Sequence, residues 1–166
     1  MSIQIKFLAR TKELGERFCI KDGWASNGHW IARLDTVENK AVHRAIKGLS
    51  DGCHIHGYDV EPLRLTMSLE KLIPKHMGTI AHKAVVTTEA KMRYDGAAVE
   101  CLAVKVESLE VPIGEVAITV WVSPTYVHLL LECSRLTITG PRDVVKGFKA
   151  GNETDIPDVA VMPMRV

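Results

Sequence analysis

Over residues 63–166 the same order of elements is read twice: strand, helix, strand, strand, strand. In the first pass 63–67 has strand character and Ser68 stands as the N-cap of a short helix over 69–77, which Pro74 would kink or shorten. Strands are then predicted over 79–87, 91–94 and 97–107, with Asp95-Gly96 as a two-residue hairpin turn between the last two. The second pass begins with a β-branched strand over 115–122. Ser123 and Pro124 suit the N-cap and first position of a helix over 125–133 that would bury Val127, Leu130 and Leu131. Strands over 135–139, 143–149 and 159–166 follow, the last after a polar loop over 150–158. Two such units with amphipathic helices imply antiparallel sheets covered by helices on one face, an α+β class.

Residues 1–62 resemble a third such unit, partial or rearranged. Strands are predicted over 3–8, 17–21 and 29–34, with turns at Asp22-Gly23 and Ser26-Asn27-Gly28. Over 37–49 the period changes: Val37, Ala41, Ala45 and Leu49 recur at helical spacing, and Lys40, Arg44 and Lys47 form a basic stripe opposite them. A strand over 53–58 and a connection over 59–62 complete the segment. The division expected is therefore 1–62 and 63–166.

Composition narrows the class further. With 21 basic and 20 acidic residues the formal net charge is +1, and 46% of residues are hydrophobic. That excludes wholesale disorder and a globally basic nucleic-acid binder, while leaving local basic stripes open. No apolar run is long enough to span a membrane, and no signal peptide is read at the start. Cys19, Cys53, Cys101 and Cys133 are widely spaced, as in a cytoplasmic protein with free thiols.

Two separated segments carry a family resemblance. The chain ends Val161-Met162-Pro163-Met164-Arg165-Val166, which closely resembles the V-M-P-M-R-L terminus of the bacterial replicase β sliding clamp. Ser26-Asn27-Gly28-His29-Trp30-Ile31 resembles the family's T-D-G-H-R-L segment, and Ser123-Pro124-Thr125-Tyr126-Val127 resembles the start of its last helix. In that family the first two segments meet in a pocket that captures short motifs of polymerases, the clamp loader and repair factors. The resemblance thus implies a peptide-binding pocket of Gly28, His29, Trp30, Ile31, Val161, Met162, Pro163, Met164, Arg165 and Val166. It further implies helices facing double-stranded DNA through sequence-independent phosphate contacts, with Lys40, Arg44, Lys47, Lys71 and Lys75 as candidates. The match is best over 79–166 and fair over 20–34. Asn27 and Trp30 depart from the family's Asp and Arg, and the chain is too short to encircle DNA alone, so a homo-oligomer is expected. The brevity suggests a phage or mobile-element version.

The residues themselves leave alternatives. Soft Met162 and Met164 suit a groove for varied peptides, and Pro163 favours an edge position, yet the same run can pack as a last core strand. Trp30 reads equally as an interface anchor or as a core tryptophan. Cys53, His54 and His56 offer three metal ligands, but no second cluster completes a tetrahedral set. No nucleophile-elbow, zinc-protease or phosphate-loop pattern occurs, and a Cys19 or Cys133 pairing with histidine has no local support. The expectation is a sliding-clamp-like processivity factor, not an enzyme, with no catalytic residue, cofactor or metal. The alternative is a clamp mimic that closes no ring and competes for clamp-binding peptides.

Overall fold

The computed structural model describes residues 16–34, 53–56, 59–62, 67–73, 82–94, 99–111, 113–139 and 143–164. The predicted strand over 3–8, the helix over 37–49 with its basic stripe, Pro74, and the Asp95-Gly96 turn lie outside them. The chain divides into two compact units, Met1–Ile73 and Pro74–Val166. No helix among the described residues is long and apolar enough to cross a membrane.

The first unit contains β1 (Arg17–Lys21), β2 (Trp24–Ser26), β3 (Trp30–Arg33), β4 (Cys53–His56) and β5 (Asp59–Pro62). All neighbouring pairs are antiparallel, in the order β5-β4-β1-β2-β3. Alternation in β1 turns Phe18 and Ile20 inward. Asp22-Gly23 closes the β1–β2 hairpin with φ of +52° and +76°, the left-handed pair that a two-residue turn of this type requires. Gly23 is further constrained because a Cβ there would lie 3.3 Å from the Leu34 carbonyl oxygen. Three differences from the sequence reading occur here. β2 is an additional strand, too short to show a period. The predicted connection over 59–62 is β5, whose register puts Pro62 opposite Cys53 at the end of the pair. The helix expected after Ser68 is one 3-10 turn, Leu69–Leu72, and Met67 lies in a bend. Ile73 is already extended (φ −69°, ψ 120°), as the residue before a proline prefers, so the helix stops there.

The second unit contains β6 (His82–Tyr94), β7 (Val99–Ser108), β8 (Thr119–Val122), α1 (Pro124–Leu130), β9 (Arg135–Thr139), β10 (Val144–Phe148) and β11 (Val159–Val161). Its strands run antiparallel in the order β11-β10-β9-β6-β7-β8. The predicted strands over 79–87 and 91–94 are one strand: a register shift between Val86 and Glu89 inserts one extra residue opposite β7. A bulge bends a strand without ending it, and the polar run Thr87-Thr88-Glu89 imitates a break. Regular pairing in β8 starts only at Thr119, and β11 ends at Val161, so the predicted 115–122 and 159–166 strands are shorter at one end.

Helix α1 begins at Pro124, and the Ser123 carbonyl, rather than its side chain, accepts from Tyr126 N and Val127 N. It packs on β7 and β11 through Val127, Leu129 and Leu130. Leu131, expected inside, is exposed because the helix ends one residue before it; Leu129 takes the inward position. Every residue of β10 is buried. At Gly147 an added Cβ would lie 2.5 Å from Cys133 Sγ and 3.4 Å from Leu130 Cδ2, so the absent side chain is what lets the end of α1 seat on the sheet. Among the described residues the architecture is mixed α+β, antiparallel and strand-rich, with a single α-helix. Gly147→Ala is expected to lower unfolding free energy by about 1–3 kcal/mol through overpacking. In urea titrations Cys133→Ala should recover part of that loss in the double variant; simple additivity of the two changes would contradict the seating contact.

Candidate functional site

The two segments of the expected pocket belong to different units, Gly28–Ile31 to the first and Val161–Met164 to the second. Arg165 and Val166 lie outside the described residues.

In the first unit the segment forms the β2–β3 turn, and side chains close it. Ser26 Oγ donates to the Trp30 carbonyl at 2.7 Å and accepts from Gly28 N at 3.1 Å. Asn27 Oδ1 accepts from His29 N at 2.9 Å and Trp30 N at 3.2 Å. An amide oxygen therefore does here what a carboxylate oxygen at the same position would do. Gly28 has φ +92°, the positive value expected from its place in the turn, and Gly28 and His29 are exposed. Trp30 is a correction. It is 1% exposed, with its ring centroid 6.4 Å from that of Phe18, and Ile31 is buried beside it. It is a core tryptophan, because β3 is buried at Trp30, Ile31 and Ala32 in succession and leaves neither face to solvent.

In the second unit Val161 is the last residue of β11, buried and opposite Val145. Met162, Pro163 and Met164 then leave the ladder and are half-buried. Met164 N donates to the Trp121 carbonyl at 2.7 Å, pinning the tail to β8. Trp121 is half-exposed between buried Val120 and Val122. Sequence reasoning missed it, although the alternation in Val120-Trp121-Val122 already turns the tryptophan away from the core. The structure thus joins the Met164 backbone to that of Trp121 within one unit, and Trp121, Met162 and Met164 are each half-buried.

Of the DNA-facing candidates, Lys71 is exposed on the 3-10 turn. Lys40, Arg44, Lys47 and Lys75 lie outside the described residues. Helix α1 contains no Lys or Arg, and Thr125 and His128 are on its exposed side.

A further constellation was invisible in the sequence. His82, buried at the start of β6, has Nδ1 3.3 Å from Ser108 Oγ and Nε2 2.8 Å from Glu115 Oε2. The residue types are those of a nucleophile, base and orienting acid. However, Ser108 Oγ also accepts from Ile118 N at 2.9 Å and donates to the Ile118 carbonyl at 3.2 Å, so it ties the end of β7 to the segment leading into β8. The trio acts as a clasp. Cys53, His54 and His56 stand on β4, and among the described residues no group of three His, Cys, Asp or Glu gathers to hold a metal ion.

Burial works against activation of Cys19 and Cys133. Burial raises Cys19, which contacts the Ser26 carbonyl. Cys133 is pushed up to about 12, chiefly by burial, with the Asp158 and Glu132 carboxylates adding to the shift and Lys149 opposing it.

No family model, no curated protein and no solved structure matches the chain. The clamp resemblance therefore rests on the residues that carry it.

At pH 8 Cys133 is expected to alkylate at least about tenfold more slowly in the native protein than in urea, since thiolate fraction sets the rate. Peptide mapping after iodoacetamide treatment reads this, and equal rates would contradict the burial. Linkage has a definite sign. Above about pH 9 the unfolded thiol ionises while the folded one keeps its proton, so this contribution to stability is present below pH 9 and falls as pH rises toward 12.

Proposed function

We propose that this chain is a sliding-clamp-like processivity factor that tethers polymerase or repair proteins by capturing short linear motifs, after assembling around DNA. The observation that carries the reading is the C-terminal run. Val161-Met162-Pro163-Met164 matches the family's terminus, leaves the sheet after Val161, and is held on β8 by the Met164–Trp121 backbone bond. Met162 and Met164 are half-buried on a tail whose backbone is tied to that of half-buried Trp121, and soft methionine side chains on a fixed support suit peptides of varied sequence. Motif binding makes and breaks no bond. Double-stranded DNA would be held non-specifically by the basic stripe of the predicted helix over 37–49 together with Lys71 and Lys75.

A second reading is favoured by one observation: α1 presents no Lys or Arg to a phosphate backbone. A chain that keeps the motif-binding surface without a basic lining would act as a ring-less mimic, competing for clamp-binding peptides and modulating host replication.

Fluorescence polarisation with a labelled peptide of the Gln-Leu-x-Leu-Phe kind tests the shared claim. Saturable binding is expected, weakened about 5- to 30-fold by Trp121→Ala or Met164→Ala, the range of about 1–2 kcal/mol typical of an anchoring contact. Arg165→Ala and deletion of residues 164–166 are companion variants. No saturable binding at the highest soluble concentration would overturn motif capture. Salt-sensitive retention on closed circular DNA, lost when the circle is cut, would then favour the ring over the mimic.

A further inference from the structure

Met162 and Met164 flank Pro163 just beyond Val161, the last residue of β11. Both are half-buried, and neither belongs to the sealed core. A thioether reacts with peroxides in its ordinary neutral form, whereas a thiol must first ionise. Burial opposes that ionisation at Cys19 and pushes Cys133 up to about 12. The competing reaction at these two cysteines is therefore disfavoured, while the two methionines of the tail need no activation.

The consequence of oxidation is local. A sulfoxide puts a polar, chiral group where a soft apolar sulfur stood, which removes the property that suits methionine to varied peptides. The attachment of the tail is made by main-chain groups instead. Met164 N donates to the Trp121 carbonyl at 2.7 Å, and Val161 stands opposite Val145 in the β10–β11 ladder. Neither contact uses a methionine sulfur, so the reaction changes what the tail presents and leaves its anchorage alone. Met67 supplies an internal comparison. It is 38% exposed, in the bend before the 3-10 turn of the other unit, and takes the same chemistry away from the tail.

We propose that Met162 and Met164 form a reversible oxidation site that switches motif capture off, with a hydroperoxide as the oxidant. The proposal rests on the motif-capture half of the function above and is independent of ring assembly. In the forward step the thioether sulfur attacks a peroxide oxygen. The O–O bond breaks, an S–O bond forms, and the other oxygen leaves as water or an alcohol; sulfur loses an electron pair and the peroxide gains it. In the return step a dithiol, acting through methionine sulfoxide reductases, gives back the electron pair with its protons. The S–O bond breaks, the oxygen leaves as water and the dithiol becomes a disulfide. Each sulfoxide forms as two epimers, so full return needs both reductase types.

The test treats the full chain with hydrogen peroxide, maps the added oxygen by peptide mass spectrometry, and titrates the labelled Gln-Leu-x-Leu-Phe peptide before and after. Sulfoxides at Met162 and Met164 are expected, with binding weakened about tenfold and circular dichroism unchanged. Both reductases with dithiothreitol should restore the original affinity. The Met162→Leu, Met164→Leu double variant, whatever affinity it starts from, should be unmoved by peroxide, and Met67→Leu should respond as the parent does. Should the double variant bind no peptide, rescue of the parent by the reductases decides. Unchanged affinity with both sulfoxides present overturns the proposal. So does a loss that persists in the double variant, a loss that follows cysteine oxidation, a loss the reductases leave in place, or oxidation of Met67 with Met162 and Met164 intact. An untreated chain that binds no peptide overturns motif capture and the switch with it, whereas a chain that binds but ignores sulfoxidation overturns the switch alone.

Discussion

With all five residues of β10 buried, neither face of that strand meets water, and each flank has to be closed by a neighbour. β9 and β11 pair with its two backbone edges, over five and three residue pairs respectively. The end of α1 comes close enough to touch Gly147 only because that position carries no side chain. Lys146 is held in the same strand at 3% exposure, and loss of hydration lowers the pKa of its amine. The chain leaving β10 is then fixed by Asp158, whose Oδ2 accepts from Lys149 N at 2.8 Å and Asn152 Nδ2 at 2.7 Å. Asn152 also binds Thr154 and the Ile156 carbonyl, so the long polar connection returns to β11 along a defined course. A buried central strand thus leads directly to a fixed C-terminal tail.

The same economy of short polar side chains recurs at the other loops. Ser26 and Asn27 close the β2–β3 turn, while Ser108 with Ile118 closes the β7–β8 connection. In each, a hydroxyl or amide supplies the partner that a backbone group loses where the ladder stops. The backbone of these turns is accordingly held in place, as is the tail that carries the half-buried methionines.

What was legible in the sequence follows from how local the cause is. β1 and β9 have the predicted bounds because alternation and flanking turn residues act within the strand. The Asp22-Gly23 turn and the Pro124 helix start are equally local, since each is set by backbone preference at two residues. Longer-range causes were not legible. Whether Thr87-Thr88 ends a strand or bulges depends on what β7 offers opposite. The length of the helix after Ser68 was decided by Pro74, visible as a breaker, but its retreat to a 3-10 turn was not. For the site, the terminal motif located the tail, while Trp30 and Trp121 needed the sheet: each is a strand tryptophan, and only the burial of the neighbouring positions separates core from surface.

β8 shows why the proposed motif-binding surface takes the form it does. Among the described residues it is the outermost strand of its row, only four residues long, and an open strand edge invites indiscriminate pairing with other chains. The tail removes part of that hazard by placing Met164 N on the Trp121 carbonyl. The loop entering β8 is folded back onto β6 through Glu110 and Glu115. Once those backbone and charged groups are engaged, β8 and the tail still offer a partner the half-buried side chains of Trp121, Met162 and Met164. Recognition through such surfaces depends on shape and packing more than on main-chain pairing. A peptide motif can then be selected by its fit, while an arbitrary extended chain gains little from the edge.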